Sequence, residues 1–400
     1  MVLNYGSDPM AYQQFYQGFL SANANRQHYA CHSHYFWPDC TREAMLQYWD
    51  DSAKYVDNKW AYFFDTLVPE LQQRISTLLN SQAPQQIVFA PNTHELVFRI
   101  FSCFDPKKVI TVVSTDSEFH SFQRQASRLQ EEGMINLITV PTQPFESFNA
   151  RFKSAIATHN PDLVFFSHVF FNSGYVVQDI NDIVTSVTND NTVIAIDGYH
   201  GFMAKPVDIG GIADRVFYLA GGYKYAQAGE GACFAHVPVG CELRPTYTGW
   251  FAEFGALDKP RQQAGREVVQ YSIDGMRFAG ATMDFTALYR LRAVLRLFEE
   301  HGLTVEVINH HVMQLQDYFL ETLFELQHSP LTPAQLVVKD SSHRGHFLTF
   351  ELESAHATKA LATALEARNI LTDFRGNRLR FGFGLYHTRE YIDLSLLHDL

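Results

Sequence analysis

The feature that most constrains the fold is a regular alternation, between residues 87 and 240, of short β-branched or aromatic runs with longer helix-like segments. Seven runs have the length and composition of buried strands. They cover residues 87–90, 109–113, 137–140, 163–166, 193–196, 216–219 and 233–236. Most are separated by enough chain for a crossover helix, which is typical of βαβ units. The alternation therefore predicts an α/β fold whose large domain contains a mainly parallel seven-stranded sheet.

Beyond residue 278 the pattern changes. The later segments are, in order, a long amphipathic helix at 288–297, a second helix at 305–326, a strand at 346–352, a helix at 356–368 and a strand at 379–383. The first helix is indicated by leucines and valines at helical spacing. Two strands flanking a helix favour a small α+β domain at the C-terminus.

Three stretches of the 400-residue chain follow from this division. Residues 51–280 are predicted to form the large, ligand-binding domain. Residues 281–400 are predicted to supply linking helices and the small domain. Residues 1–50 are expected to form an N-terminal segment that contributes to the small domain and to the active site.

Charge and composition argue against several kinds of partner. The net charge is −12 and the chain has no long Lys/Arg run, so nucleic acid is not an expected partner. The N-terminus has neither a basic region nor an apolar stretch, and no run of about 18 apolar residues follows, so we expect no membrane association and a cytoplasmic protein. Five cysteines without a Cys-x-x-Cys pair are expected to be reduced thiols.

A carboxylate and a lysine follow two neighbouring predicted strands. Asp197 comes directly after the run 193–196, and Gly221-Gly222-Tyr223-Lys224 follows the run 216–219. Because ligands bind at the carboxyl ends of parallel strands, both side chains are expected at one sheet edge. Pyridoxal 5'-phosphate (PLP) needs such a pair: a lysine for the Schiff base and a carboxylate beside the pyridine nitrogen. We assign these roles to Lys224 and Asp197, the alternative being a turn with an exposed lysine.

Further residues fit a PLP site. The helix that follows residues 87–90 would point the amides of Thr93 and His94 at a phosphate, although simple helix capping explains the same residues and is compatible with it. Phe119 follows the run 109–113, where its ring is expected to stack on the pyridine or else to pack in the core. Tyr223, beside the lysine, is expected to contact the phosphate or to assist proton transfer.

Several motifs carry a family resemblance that extends over nearly the whole chain. Ser167 to Gly174, Asp197-x-x-His200, Tyr223-Lys224-Tyr225 and Gly249-Trp250 resemble the class V aminotransferase group of fold-type I PLP enzymes, most closely kynureninase. The resemblance implies PLP bound to Lys224, cofactor contacts from Asp197 and His200, and an indole of Trp250 that donates to the phosphate.

The same resemblance implies a substrate site and a partner. Gly280-Ala281-Thr282 is similar to a loop that related enzymes bring from a second subunit to the phosphate, which implies a homodimer and a role for Thr282. Arg380 would bind the α-carboxylate of an amino acid substrate, as a planar guanidinium suits a carboxylate; the alternative is a surface arginine. His34 lies where kynureninases have Leu-Gly, so we expect it on the substrate side.

Two further positions depart from the kynureninase sequence pattern and argue against that interpretation. Phe119-His120-Ser121-Phe122 stands where that family has an acidic residue in the last position, and Gly384 replaces a proline. Kynureninase-like hydrolysis of a Cβ–Cγ bond is therefore the first hypothesis. A class V aminotransferase or another PLP-dependent lyase is the alternative.

Other functions are less well supported by the sequence. A cysteine desulfurase needs a mobile thiol near the small domain, and no cysteine follows Cys241. A metal hydrolase would rest on His32, His34 and the pair His310-His311, which is a weak signal, so we expect no metal. A PLP-binding protein without turnover remains the third possibility.

Overall fold

The structure, a computed structural model, describes residues 10–256, 268–326 and 328–397. Its strands are β1 Gln27–His28, β2 Ile87–Ala90, β3 Ile110–Thr115, β4 Ile135–Val140, β5 Leu163–Ser167, β6 Val193–Asp197, β7 Val216–Gly221, β8 Cys233–His236, β9 Phe347–Glu351, β10 Ile370–Leu371, β11 Asp373–Arg375 and β12 Arg378–Gly382. Each of the seven runs predicted between residues 87 and 240 overlaps one of these strands.

The α-helices are α1 Met10–Gln13, α2 Gln17–Ala22, α3 Cys40–Tyr55, α4 Lys59–Tyr62, α5 Val68–Leu78, α6 Thr93–Phe101, α7 His120–Glu131, α8 Phe148–His159, α9 Ile180–Thr185, α10 Thr286–Glu300, α11 Val305–Glu325 and α12 Ala355–Glu366. The three helices predicted after residue 278 correspond to α10, α11 and α12. Among the described residues, no helix is both long and apolar enough to cross a membrane.

The seven strands β2 to β8 form one sheet in the order β2-β8-β7-β6-β5-β3-β4. The pairs from β4 across to β7 are parallel, whereas β8 runs antiparallel to both β2 and β7. Every residue of β5, β6, β7 and β8 is buried, as expected for a sheet covered on both faces. The predicted α/β class and the mainly parallel sheet are confirmed.

The register of this sheet fixes where side chains meet. Strands β6 and β7 pair in parallel with Asp197 opposite Leu219, so Asp197 and the turn after Gly221 lie at the same carboxyl edge. Helices α6 and α7 begin shortly after β2 and β3. The same edge therefore collects an acid, a lysine-bearing turn and the start of α7.

A second, smaller sheet consists of β9, β11 and β12 in the antiparallel order β11-β12-β9. It shares a separate hydrophobic core with α11 and α12, and Tyr29 of the N-terminal segment belongs to that core. The short strand β1 pairs with β10, which ties the N-terminal segment to this region. The boundaries at residues 50 and 280 remain predictions.

Helix α10 packs against the large sheet region rather than the small one. Its buried face includes Leu288, Leu291 and Val294, which join the large hydrophobic core. The five cysteines of the chain are all free thiols in the structure.

Candidate active site

A cavity of ≈ 150 Å³ lies at the carboxyl edge of the large sheet. Its walls come from the ends of strands β2, β3, β5, β6 and β7 and from the segments that follow them. They consist of Asn92, Thr93, Phe119, Ser121, Ser167, Val169, Phe171, Asp197, Tyr199, His200, Tyr223 and Lys224. Six of the eleven residues predicted for the site line this cavity.

Lys224 lies on the floor of this cavity and is buried. Its Nζ makes a hydrogen bond with Nε2 of His200. Nζ also lies 5.4 Å from the ring centre of Phe119 and 5.6 Å from that of Tyr199. Burial lowers the pKa of the lysine, and the nearby Asp197 only partly opposes that shift. A buried amine with a lowered pKa is available as a nucleophile, so the alternative of an exposed turn lysine is wrong.

The glycines before Lys224 allow the turn that presents it. A Cβ on Gly221 would lie 2.8 Å from Sγ of Cys233 and 2.8 Å from Oη of Tyr199. A Cβ on Gly222 would lie 2.9 Å from Cβ of Ala228. Any side chain at these positions would force the turn apart, so their small size sets the place of the lysine.

Asp197 ends β6 and is 7% exposed. Its Oδ1 accepts a hydrogen bond of 2.9 Å from the backbone N–H of Tyr199. Burial raises the pKa of the carboxyl group, while this hydrogen bond and the charge of Lys224 act in the opposite direction. A cation placed against Asp197 would favour the ionised carboxylate.

A second buried acid, which the sequence interpretation missed, lies behind Asp197. Glu118 accepts hydrogen bonds of 2.6 Å from the hydroxyls of Thr115 and Ser167 and one of 3.2 Å from the Ser167 amide. Ser167 lies opposite Asp197 in the paired strands β5 and β6. Burial raises the pKa of Glu118 to about 8, so it holds its proton at neutral pH.

The segment that the sequence predicts to hold a phosphate is the start of α6. Thr93 is buried and lines the cavity. Asn92 caps the helix by accepting a hydrogen bond of 3.0 Å from the Glu95 amide, so the capping interpretation holds. The side chain of His94 turns away from the cavity and contacts Gln125 at 2.8 Å. Ser121, in the first turn of α7, also lines the cavity and was not predicted.

Two phenylalanines in the segment that follows β3 have different surroundings. Phe119 lines the cavity and is 38% exposed, so it is not a core residue. Its ring lies 5.5 Å from that of Phe171 on the opposite wall. Phe122 is buried and stacks on Phe165 at 3.8 Å, which makes it a packing residue.

Two predicted substrate residues lie beside the cavity rather than in its wall. Nδ1 of the exposed His34 lies 2.6 Å from Oη of Tyr223, a hydrogen-bonding distance. Arg380, on β12, donates hydrogen bonds to the Phe171 carbonyl and to Asp373. It is 3% exposed, so the alternative of a surface arginine is wrong.

Trp250 and Thr282 do not line the cavity. Trp250 packs edge-on against Trp60 at 6.0 Å, and Thr282 is exposed. The two segments nevertheless lie together, since the Phe251 amide donates a hydrogen bond of 3.1 Å to the Gly280 carbonyl. Their predicted contacts to a phosphate remain predictions.

The residues around the cavity fit PLP. A buried lysine, a buried acid at the same sheet edge and an aromatic wall are present. In addition, Nδ1 of the buried His200 has no hydrogen-bond partner, as expected beside a polar ligand. Within the described ranges, no three His, Cys, Asp or Glu side chains are grouped as a metal site.

Several solved structures share this fold. A mutant of C-DES with glycine covalently linked to its PLP cofactor superposes with a TM-score of 0.78, at 18% identity over 96% of this chain and 97% of that one. The complex of the cystine C–S lyase C-DES with cysteine persulfide gives 0.76, at 18% identity over 94% and 98%. The cysteine desulfurase CsdA from Escherichia coli gives 0.76, at 13% identity over 98% and 97%.

Sequence comparison identifies the family. No curated protein matches this sequence. The profile of the aminotransferase class-V family, by contrast, matches residues 37–394, which is most of the chain. With a lysine-bearing cavity and a fold shared with PLP enzymes, the chain belongs to the class-V aminotransferase family of PLP-dependent enzymes.

Proposed function

We propose that this enzyme breaks a bond at Cβ of an L-amino acid and releases the group attached there. The observation that carries the proposal is the contact between Tyr223 and His34 at the mouth of the Lys224 cavity. Transamination returns the proton to the cofactor and needs no second acid. Cleavage at Cβ needs a proton donor for the departing group or for the carbon, which is a role for a phenol and an imidazole in contact.

Lys224 is proposed to carry PLP and to move the substrate's Cα proton. PLP, when bound, supplies an electron sink for the carbon that loses this proton. The carboxylate of Asp197 would favour a positive charge on the pyridine nitrogen. Glu118 stays protonated behind Asp197, so the buried negative charge remains on one carboxylate.

The proposed contacts would hold the substrate between the two sheets. Arg380 binds the α-carboxylate, while Thr93 and the start of α6 hold the phosphate. Phe119 and His200, which line the cavity, would contact the cofactor. His34, at the opening of the cavity, provides the remaining contact to the substrate.

The His34–Tyr223 pair acts on the Cβ substituent. In an elimination, the Cα proton goes to Lys224 and the Cβ–S bond breaks with its electron pair on sulfur. The pair donates a proton to that sulfur. The unsaturated product takes up water and yields pyruvate and ammonium.

A sulfur substrate is favoured over other leaving groups by the similar structures, which include a cystine C–S lyase and cysteine desulfurases. A desulfurase relay through a protein thiol is not part of the proposal. Cys233 contacts Tyr199 and Thr93 of the cavity wall, and Cys31 precedes His32, but both cysteines are buried. Burial raises the pKa of the Cys31 thiol to about 12 and that of the Cys233 thiol to about 11. Neither is an available thiolate.

Kynureninase-like hydrolysis of a Cβ–Cγ bond is the second candidate. It would use the same Lys224 and Arg380. Water would add to the γ-carbonyl, the Cβ–Cγ bond would break with its electron pair on Cβ, the acyl part would leave as a carboxylic acid, and the His34–Tyr223 pair would protonate Cβ. The motifs Tyr223-Lys224-Tyr225 and Asp197-x-x-His200 favour it. The buried packing of Phe122, where that family has an acid, does not.

The test is product analysis with PLP-loaded protein. L-Cystine is expected to give pyruvate, ammonium and cysteine persulfide; L-kynurenine would give alanine and anthranilate in the second case. Tyr223→Phe with His34→Ala should lower kcat about 10²-fold, because general acid catalysis contributes roughly that much. Tyr175→Phe, a tyrosine remote from this cavity, is the matched control. A 2-oxo acid without release of any Cβ group would instead identify a transaminase, and no turnover a binding protein.

A homodimer is also part of the proposal. Exposed apolar side chains occur on α3 and on the segment before residue 274: Met45, Leu46, Trp49, Val268, Val269 and Ile273. Trp250 and Thr282 are surface residues, so they would meet the phosphate only across such an interface. Sedimentation of PLP-loaded protein is expected to give about twice the chain mass, and a monomer at micromolar concentration would reject this part.

A further inference from the structure

His32 is a buried imidazole that none of the roles above uses. It is 1% exposed, and its ring stacks on Phe347 at 4.7 Å. Nε2 lies 3.5 Å from Oδ2 of Asp373, but neither ring nitrogen makes a hydrogen bond. A buried polar group without a hydrogen bond is rare in native proteins and calls for a ligand or a bound water.

Arg380 converges on the same place from the small sheet. Its Nη2 bonds to the same Oδ2 of Asp373, and its guanidinium lies 5.7 Å from the ring centre of Phe347. Nε of Arg380 has no hydrogen-bond partner either. His32 and Arg380 therefore flank one carboxylate oxygen and still keep donors that Asp373 does not use.

The backbone leaves room for this imidazole. A Cβ on Gly382 would lie 2.5 Å from Nδ1 of His32 and 2.9 Å from its backbone nitrogen. Gly382 lies two residues after Arg380 on strand β12, and its lack of a side chain leaves space for the imidazole ring. The imidazole and the guanidinium are placed side by side by the pairing of the N-terminal segment with β12, since the Gly382 amide bonds to the Tyr29 carbonyl at 2.6 Å.

From this geometry we infer that His32 is a second carboxylate-binding residue, which holds the α-carboxylate of the amino acid substrate together with Arg380. Asp373 holds Arg380 in place by accepting a hydrogen bond from its Nη2, and the single N–H of His32 stays free for the substrate. The inference rests on the proposed function, because it takes an amino acid as the substrate.

A neutral imidazole suits this position. Burial, and after it the charge of Arg380, lowers the pKa of His32 to about 3, so the ring is uncharged and carries one N–H. It can donate a hydrogen bond to a carboxylate without adding a positive charge beside Lys224. An arginine or lysine at this position would add that charge and lower the pKa of Lys224 further.

The experiment compares two small amines that differ only in the carboxylate. PLP-loaded wild type and His32→Ala are titrated with glycine and with glycinamide, and the change in visible absorption gives each Kd. His32→Ala is expected to raise the Kd of glycine about tenfold and to change that of glycinamide less than twofold. His32→Asn, which keeps a neutral donor, is expected to recover part of the loss.

Two controls keep a folding defect separate from a lost contact. His236→Asn replaces another buried histidine, which bonds only to the Ala213 carbonyl at 2.9 Å, and should leave both dissociation constants unchanged. In an Arg380→Ala background, His32→Ala should cost much less than tenfold, because both residues act on one carboxylate.

Equal effects of His32→Ala on glycine and glycinamide, or no effect on either, would overturn the inference. Both results are distinct from failure of the proposed function. That failure would appear in the wild type, as a chain that binds no PLP at Lys224 or releases no product from any Cβ-substituted amino acid.

Discussion

The proposed active site has a proposed cofactor side and a proposed substrate side, and the two are built in different ways. On the cofactor side, Asp197 and Lys224 follow β6 and β7, which pair in parallel. On the substrate side, His32 comes from the N-terminal segment and Arg380 from β12, about 350 residues later in the chain. One side is positioned by backbone hydrogen bonds between neighbouring strands of one sheet, the other by contacts between segments that lie far apart in the chain, including the backbone hydrogen bond from Gly382 to Tyr29.

The two sides also differ in how fully their polar groups are paired. Glu118 and Asp197 receive hydrogen bonds from neighbouring hydroxyl and amide groups. In contrast, the ring nitrogens of His32, Nε of Arg380 and Oη of the buried Tyr225 have no hydrogen-bond partner. On the proposed cofactor side, Nδ1 of the buried His200 is likewise without a hydrogen-bond partner. The two acids are therefore satisfied within the folded chain, whereas the imidazoles and Arg380 keep polar atoms for what binds beside them.

The largest effect that tests this comparison is expected from Lys224→Ala. Protein purified with PLP should lose the visible band of lysine-bound cofactor, and borohydride should no longer fix the cofactor to the chain. Turnover should fall by roughly 10³-fold or more, because the variant loses both the cofactor attachment and the base at Cα. The measurement is an absorption spectrum with mass spectrometry of the reduced protein.

A second partly buried lysine supplies the control for that experiment. Burial lowers the pKa of Lys205 to about 8, but its Nζ contacts Sδ of Met313 and it does not line the cavity. Lys205→Ala should keep the band and the borohydride adduct. An adduct that survives in Lys224→Ala and vanishes in Lys205→Ala would move the cofactor to another part of the molecule.

The cofactor side is the part that could be predicted from the sequence. Short apolar runs at regular spacing predict the strands of the large sheet. Parallel pairing of these strands then predicts that Asp197 and Lys224 lie at one edge. The prediction succeeded because strand periodicity and the position of a strand end are local properties. The role of the buried Glu118 could not be predicted, because its partners Thr115 and Ser167 come together only through the sheet.

The substrate side could be predicted only in part. The family resemblance predicts a role for Arg380 in carboxylate binding. Its contact with Asp373 could not be predicted, because β11 is three residues long and gives no periodic signal. The sequence indicates His32 only as a weak candidate for a metal ligand. The His-x-His spacing does not show that this side chain is buried. Its place beside Arg380 depends on a contact between the two ends of the chain, which no local pattern contains.

The next effect tests the substrate side alone. Asp373→Asn removes the charge that pairs with the buried Arg380, and breaking such a pair costs about 3 kcal/mol or more. The free energy of unfolding from urea titrations should fall by that amount, while the band of lysine-bound PLP should persist. Glu351→Gln is the matched control, since Glu351 pairs with Arg378 on the same small sheet at an exposed position and should cost less than about 1 kcal/mol. Equal losses in both variants would mean that Asp373 is an ordinary surface partner.

The smallest effect concerns Glu118 and the pH. Burial raises its pKa to about 8, whereas in the unfolded chain it is about 4.3. The folded protein then holds a proton that the unfolded chain releases, so this stabilisation is complete below about pH 4 and is lost as the pH rises towards 8. Between pH 6 and pH 8 the contribution should fall by roughly 2 kcal/mol.

Glu118→Gln isolates this contribution, because an amide keeps the size of the side chain and does not titrate. Urea unfolding at pH 6, 7 and 8 should show a shallower loss of stability with rising pH for the variant than for the wild type. Glu132→Gln, at the exposed end of α7, should leave the wild-type slope unchanged. If Glu118→Gln and the wild type have the same slope, Glu118 is ionised in the folded protein. The cofactor side would then carry two buried negative charges, and its polar groups would be no better satisfied than those around His32 and Arg380.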